Sequence, residues 1–269
     1  MHQTTITTIP IDLTNWKKEQ TQWNHSSSFF IDLHERADRQ AQVSHFIAFL
    51  KEKNLMPLKG ATALDVGCAT ADYAIGLAEE NIKVSAIDLS DGMIKGAKQL
   101  ADKHKVALDL YIGPWSEETR ALQKWDQTFD FTYSFFCPVM YETENIKALS
   151  KASKGTCLWG GFSKRRDEIY DMLVETLYGK DEFAWTDKAE GVVEFVKTIG
   201  KNVKVYPRIL PETETFTLEE ALKYFMHRMH DNKEETKAKI KALLLPLVKD
   251  GKITNHTEDH ILWVTWETC

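Results

Sequence analysis

One short apolar run ends in an acid, a glycine and small side chains: Leu64-Asp65-Val66-Gly67-Cys68-Ala69-Thr70-Ala71. Small residues after a strand leave room for backbone to approach a ligand, and glycine tolerates the left-handed φ that a tight turn demands. A second run, Ser85-Ala86-Ile87-Asp88-Leu89-Ser90, also ends in an acid. Asp88 follows Gly67 by about 20 residues, the interval at which a carboxylate at the end of a second strand accepts hydrogen bonds from ribose hydroxyls. The two elements together point to a nucleotide-like ligand held at the carboxyl ends of parallel strands.

Those residues need a βαβ frame, and the surrounding pattern supplies one. From residue 61 onward, short apolar runs alternate with amphipathic stretches, the signature of a parallel sheet. Strands are expected at about 62–66, 83–87, 107–112, 129–135 and 155–162, with helices at 71–80 and 91–104. Upstream, Val43, Phe46, Ile47, Phe49 and Leu50 recur at helical spacing, so a helix is expected over 34–55. After residue 162 the pattern predicts helices at 164–178, 188–199, 217–229 and 233–248, and strands at 203–209 and 261–266. Thr217 with Glu220 three residues on forms a capping-box pattern that starts one of these helices. The expected fold is α/β: a doubly wound, mostly parallel seven-stranded sheet with helices on both faces, an N-terminal helical segment and helical insertions near the last strands. Residues 1–22 are expected as a peripheral arm and 23–269 as one Rossmann-like domain, with its core at 61–162 and insertions at about 164–200 and 211–250.

With these elements in place, the sequence resembles the class I S-adenosylmethionine-dependent methyltransferases, well over residues 61–162 and loosely elsewhere. In that family the first-strand motif is an acid followed by alternating glycines; here the second and third glycines are Ala69 and Ala71. The resemblance implies S-adenosyl-L-methionine as cofactor, with Asp65, Gly67, Cys68 and Ala69 beside its methionine part. Asp88 would bind the ribose, with Leu89 and Met93 near the adenine. Pro114 and Trp115, after the third strand, would lie near the base, with Trp115 against the ring. Phe135 and Cys137, at the end of the fourth strand, would face the transferred methyl group. The alanines work against a dinucleotide, since a pyrophosphate needs closer backbone approach than a sulfonium amino acid. Methyltransferases acting on amino groups of DNA bases carry an acid or Asn followed by Pro-Pro and an aromatic at that strand end; Phe135-Phe136-Cys137-Pro138 does not match.

No catalytic base emerges from the sequence. Methyl transfer from a sulfonium is an in-line displacement with a neutral leaving group, so catalysis rests largely on holding donor and acceptor together, and only a protonated acceptor requires a base. For the acceptor, Phe30 and Tyr141 belong to a set of aromatics expected around the open end of the sheet, suited to an apolar lid. His227 and His230 lie in the segment between the last two strands, which in related enzymes shapes the acceptor pocket. Their spacing, like that of His256 and His260, would place two imidazoles on one helical face, but no third ligand accompanies either pair and no metal is expected.

Composition narrows the partners. The net charge of -6 over 269 residues disfavours a surface built to track a phosphate backbone. A small-molecule methyl acceptor is therefore expected; protein or RNA methylation, and a non-catalytic S-adenosylmethionine-binding scaffold, are the alternatives. Cys68, Cys137, Cys157 and Cys269 show no paired spacing, so reduced thiols are expected. No apolar run approaches the roughly 20 residues that cross a bilayer, and the first residues lack the pattern of a secretory signal, so a cytoplasmic protein is expected.

Overall fold

The structure is a computed structural model that describes residues 3–34, 37–179, 185–229 and 233–268. The chain opens with strand β1 (Thr5–Thr8) and helices α1 (Lys17–His34) and α2 (Ala37–Glu52). The repeating core follows: β2 (Thr62–Val66), α3 (Asp72–Glu79), β3 (Lys83–Asp88), α4 (Asp91–His104), β4 (Leu108–Ile112), α5 (Glu117–Leu122), β5 (Phe129–Phe135) and α6 (Thr143–Ala152). Then come β6 (Ser153–Asp167), α7 (Glu168–Tyr178), α8 (Trp185–Ile199), β7 (Lys201–Phe216), α9 (Leu218–Arg228), α10 (Glu234–Leu244) and β8 (Ile253–Glu267).

Among the described residues the sheet has eight strands in the order β1-β4-β3-β2-β5-β6-β8-β7. The pairings of β1 with β4, β4 with β3, β3 with β2, β2 with β5 and β5 with β6 are all parallel. The α/β fold is as the sequence predicts, with one correction: there are eight strands rather than seven. The extra one, β1, lies in the segment expected as an arm. Its run Thr5-Ile6-Thr7-Thr8 is rich in β-branched residues, and it pairs with β4 from Thr5 opposite Asp109 to Thr8 opposite Ile112.

Helix α1 begins in that arm and runs on to His34, ahead of the helix expected over 34–55. Further along, the helix expected from 164 begins only at Glu168, because β6 continues to Asp167, whose side chain accepts from the Tyr170 amide at 2.9 Å and caps α7. β7 runs through Pro207 and Pro211, which an edge strand tolerates because one side of its backbone needs no partner.

The residues group into two compact units. The first comprises Met1–Gly161, Gly191–Tyr206 and Trp263–Cys269; the second comprises Phe162–Glu190 and Pro207–Leu262. In the first unit, strand order reverses between β2 and β5, creating the crevice outside the carboxyl ends where ligands of open α/β sheets bind. In the second, Ile169 and Leu173 of α7, Phe225 of α9, Ile240 and Leu244 of α10 and Ile253 of β8 form one apolar core. Beside it, buried Asp167 pairs with Arg228, whose guanidinium lies 4.2 Å from the centre of the Tyr170 ring. The capping box at Thr217 and Glu220 forms as its spacing predicts.

Candidate active site

A cavity of about 240 Å³ opens in the first unit at the carboxyl ends of β2, β3 and β5. Its floor is the loop after β2. Gly67, Ala69 and Ala71 there adopt φ of 71°, 47° and 61°, so the loop keeps a left-handed geometry although two of the three positions carry a methyl group. Holding an alanine in that region costs about 1–2 kcal/mol per residue, which the fold tolerates. Gly67 has a separate reason to be glycine: a Cβ there would collide with the Cys137 side chain after β5.

Asp88 braces this loop from β3. One carboxylate oxygen accepts from the Ala69 amide at 2.9 Å and the other from the Ser90 amide at 2.8 Å. Burial raises its pKa, against the pull of those backbone donors. Asp65 is buried more completely, and burial pushes it up to about 8; Tyr133 and Arg39 pull it down, while Asp88 and Asp72 push it further up. At neutral pH Asp65 is therefore largely protonated. The thiols are inert: burial raises Cys68 well above the ordinary thiol range and Cys137 to about 12, so neither is a ready nucleophile.

The far wall is apolar. Leu89 and Met93 lead into α4, and Pro114 and Trp115 follow β4; all four line the cavity. Trp115 is held by its indole N–H, which donates to the Asn145 carbonyl at 3.1 Å, and by Trp125 stacked 6.4 Å away. Phe135, Phe136, Cys137, Pro138 and Val139 form the rim beyond β5, and Phe136 sits at φ 54°. A bulky residue in that region is a strained conformation of the sort that clusters at functional sites.

Helix α1 forms the remaining wall with Trp16, just before it, and Glu19, Trp23 and Phe30. It is fastened to the start of α4 by Asn24, whose amide donates to Asp91 at 2.7 Å and accepts from the Ser90 hydroxyl at 2.5 Å and the Gly92 amide at 3.2 Å. Gln20 adds a bond to the Leu89 carbonyl at 3.0 Å. The two helices pack this closely because α4 presents Gly92 and Gly96; a Cβ at either would come within 2.8 Å of Ser27 or Ile31.

Residues 63–156 match the model of a family described as a methyltransferase domain. Over these residues the chain is a methyltransferase domain. No protein of curated function matches the sequence. Its fold is similar to that of a methyltransferase candidate from Bacillus halodurans C-125, at 16% identity and a TM-score of 0.51, covering 81% of this chain and 98% of that one. It is also similar to a methyltransferase candidate from an antibiotic biosynthesis pathway of Anabaena variabilis ATCC 29413, at 13% identity and a TM-score of 0.50, covering 79% of this chain and 96% of that one. At these identities the likeness concerns the fold.

The cavity gathers all ten residues that the sequence assigns to the cofactor: Asp65, Gly67, Cys68, Ala69, Asp88, Leu89, Met93, Pro114, Trp115 and Phe135. Phe30 and Cys137 line it too. Tyr141 does not; it packs edge-on against Trp159 at 5.4 Å. His227 is on α9 in the second unit and is not among the lining residues, and His230 lies outside the described residues. His256 and His260 fall on strand β8 rather than on a helix, bonded to Thr213 and Glu258. Among the described residues no three His, Cys, Asp or Glu side chains converge as a metal site, and no helix is long and apolar enough to cross a membrane.

Sequence reasoning missed Trp16, Glu19, Arg39, Tyr73 and Phe136. Arg39 is the one cation among the described lining residues, and its guanidinium lies 4.9 Å from the Tyr73 ring centre while pairing with Asp72 at 3.0 Å. Its signal was present only as an ordinary charged residue on a helix.

Proposed function

We propose that this methyltransferase binds S-adenosylmethionine in the cavity at the ends of β2, β3 and β5 and transfers its methyl group to a small-molecule acceptor in the cytosol. The observation that carries the reading is the distribution of chemistry along one cavity. Charged side chains sit at three places, Asp65 with Arg39, Asp88, and Glu19 on α1, and most of the remaining wall is apolar or aromatic. That order fits the cofactor. The carboxyl of Asp65 and the guanidinium of Arg39 suit the ammonium and carboxylate of an amino acid. Asp88, with lone pairs beyond those used by Ala69 and Ser90, suits a ribose diol. Leu89, Met93, Pro114 and Trp115 suit a purine.

Bound, the cofactor supplies an electrophilic methyl on a sulfonium. The protein's part is placement and exclusion of water. Asp88 and the β2 loop fix the nucleoside, Arg39 and Asp65 fix the amino-acid end, and Phe135 to Val139 form a largely apolar approach for the acceptor. A cavity walled by α1 favours an acceptor that fits inside it, and the chain's net charge of -6 gives no support to a nucleic-acid track. The free thiols of Cys68, Cys137 and Cys157 agree with a reducing compartment.

The test is a transfer assay with labelled cofactor against small amines, alcohols, phenols and thiols, and against RNA and protein. Transfer to a small molecule, lost with Asp88→Asn together with about tenfold or more of the cofactor affinity, is expected. Transfer confined to RNA or protein would overturn the small-molecule reading.

A further inference from the structure

At the end of α1 farthest from Trp16, His34 enters a linear chain of four titratable groups. Its Nδ1 lies 2.5 Å from Asp72 Oδ1 at the start of α3, and its Nε2 lies 2.9 Å from His104 Nε2 at the end of α4. His104 Nδ1 in turn lies 2.8 Å from Glu79 Oε1 at the end of α3. His34 is almost fully buried. The other Asp72 oxygen accepts from Thr70 at 3.0 Å and from Arg39 at 3.0 Å, so the chain ends on the residue that holds the cavity's cation. Asp72 and His104 face the His34 ring, with Arg39 beyond Asp72 and Glu79 beyond His104; Gln40 Nε2 donates to the His34 carbonyl at 2.7 Å and lies 3.5 Å from its Nε2.

Counting protons decides what this chain can do. Three contacts between nitrogen and its partners need three N–H bonds: one toward Asp72, one between the imidazoles and one toward Glu79. Two neutral imidazoles carry two N–H bonds, so the complete chain requires one extra proton shared by the pair. Removing it leaves two lone pairs facing each other or a nitrogen lone pair facing a carboxylate. Adding another sets two N–H groups head to head across 2.9 Å with two positive charges.

We propose that His34 and His104 are positioning residues that fasten α1 over the cofactor cavity only while the two imidazoles share one extra proton, so that cofactor affinity passes through a maximum with pH. Phe30 stands one turn before His34 and lines the cavity, and Asp72 pairs with Arg39, so loosening this end of α1 disturbs two lining residues of the cavity. The effect on affinity rests on the cavity being the S-adenosylmethionine site; the fastening itself does not.

The experiment follows the whole chain from about pH 5 to about pH 8. Hydrogen exchange of the 17–34 amides, corrected for intrinsic rates, reports the fastening, and calorimetry with S-adenosylhomocysteine reports affinity. Both are expected to peak within the range and to fall by about tenfold on either side, the worth of one charge-assisted hydrogen bond. In His104→Gln the amide donates to a neutral His34 or accepts from a protonated one, so both profiles flatten. In Glu79→Gln the acceptor remains but the charge that favours the cationic pair is gone, and the alkaline fall moves to lower pH. Flat exchange in the wild type, or an unchanged peak in His104→Gln, would overturn the proposal. A peaked exchange profile with no binding of S-adenosylhomocysteine at any pH would uphold the fastening and overturn the cofactor assignment.

Discussion

Asp65 sits where a carboxyl is costly to ionise, and that has a consequence for folding. In the unfolded chain it loses its proton near 3.8, whereas in the fold burial holds the proton until about pH 8. Between those values the native state binds more protons than the unfolded one, so stability falls as pH rises, by at most about 1.4 kcal/mol per pH unit. Asp65→Asn removes this slope and is expected to be more stable than the wild type at neutral pH, with the gain vanishing as pH drops toward 4. Denaturant melts across that range check it; parallel profiles would show an ionised Asp65. The loop beside it offers a second check. Ala69 carries an alanine at φ 47°, so Ala69→Gly is expected to stabilise the fold by about 0.5–1 kcal/mol in the same melts, the relief of left-handed strain less the entropy glycine adds to the unfolded chain. At this scale the sequence was informative where chemistry is local. Asp65, Gly67 and Asp88 are short-range motif residues, while Arg39 and Phe136 owe their place to tertiary packing and have no motif of their own.

Among elements, α1 matters most to the cavity and was least visible beforehand. Its sequence, Lys17–His34, mixes Lys, Gln, Asn and three serines with a weak apolar stripe, because one face lies on glycines of α4 and needs little apolar surface to pack closely. Asn24 does much of the fastening. Asn24→Ala deletes three hydrogen bonds and is expected to cost about 1–3 kcal/mol and to weaken S-adenosylhomocysteine binding several-fold. A thermal melt with a parallel titration measures both, and full affinity in a destabilised variant would mean that α1 is no wall of the ligand site. The core strands β2 to β5 were legible because β2 and β5 are mostly buried apolar runs and β3 and β4 alternate buried apolar with less buried positions, each over 5–7 residues. β1 escaped because all four of its side chains are exposed, and the first turn of α7 was misplaced because Arg165 and Arg166 extend a strand that only Asp167 ends.

For the molecule as a whole, strand order and cavity position follow from one another. The reversal of strand order between β2 and β5 opens the crevice, and the two acids lie at the ends of neighbouring strands β2 and β3. The methyltransferase domain was thus readable from residues 61–162. The acceptor was not, since it is selected by side chains that come together only in the fold. The central claim is that this cavity takes S-adenosylmethionine. Calorimetric titration of the intact chain with S-adenosylmethionine, S-adenosylhomocysteine and NAD tests it directly. One-site binding of the first two, with no heat from NAD, is the predicted result; no binding of either, or binding of NAD alone, would contradict it.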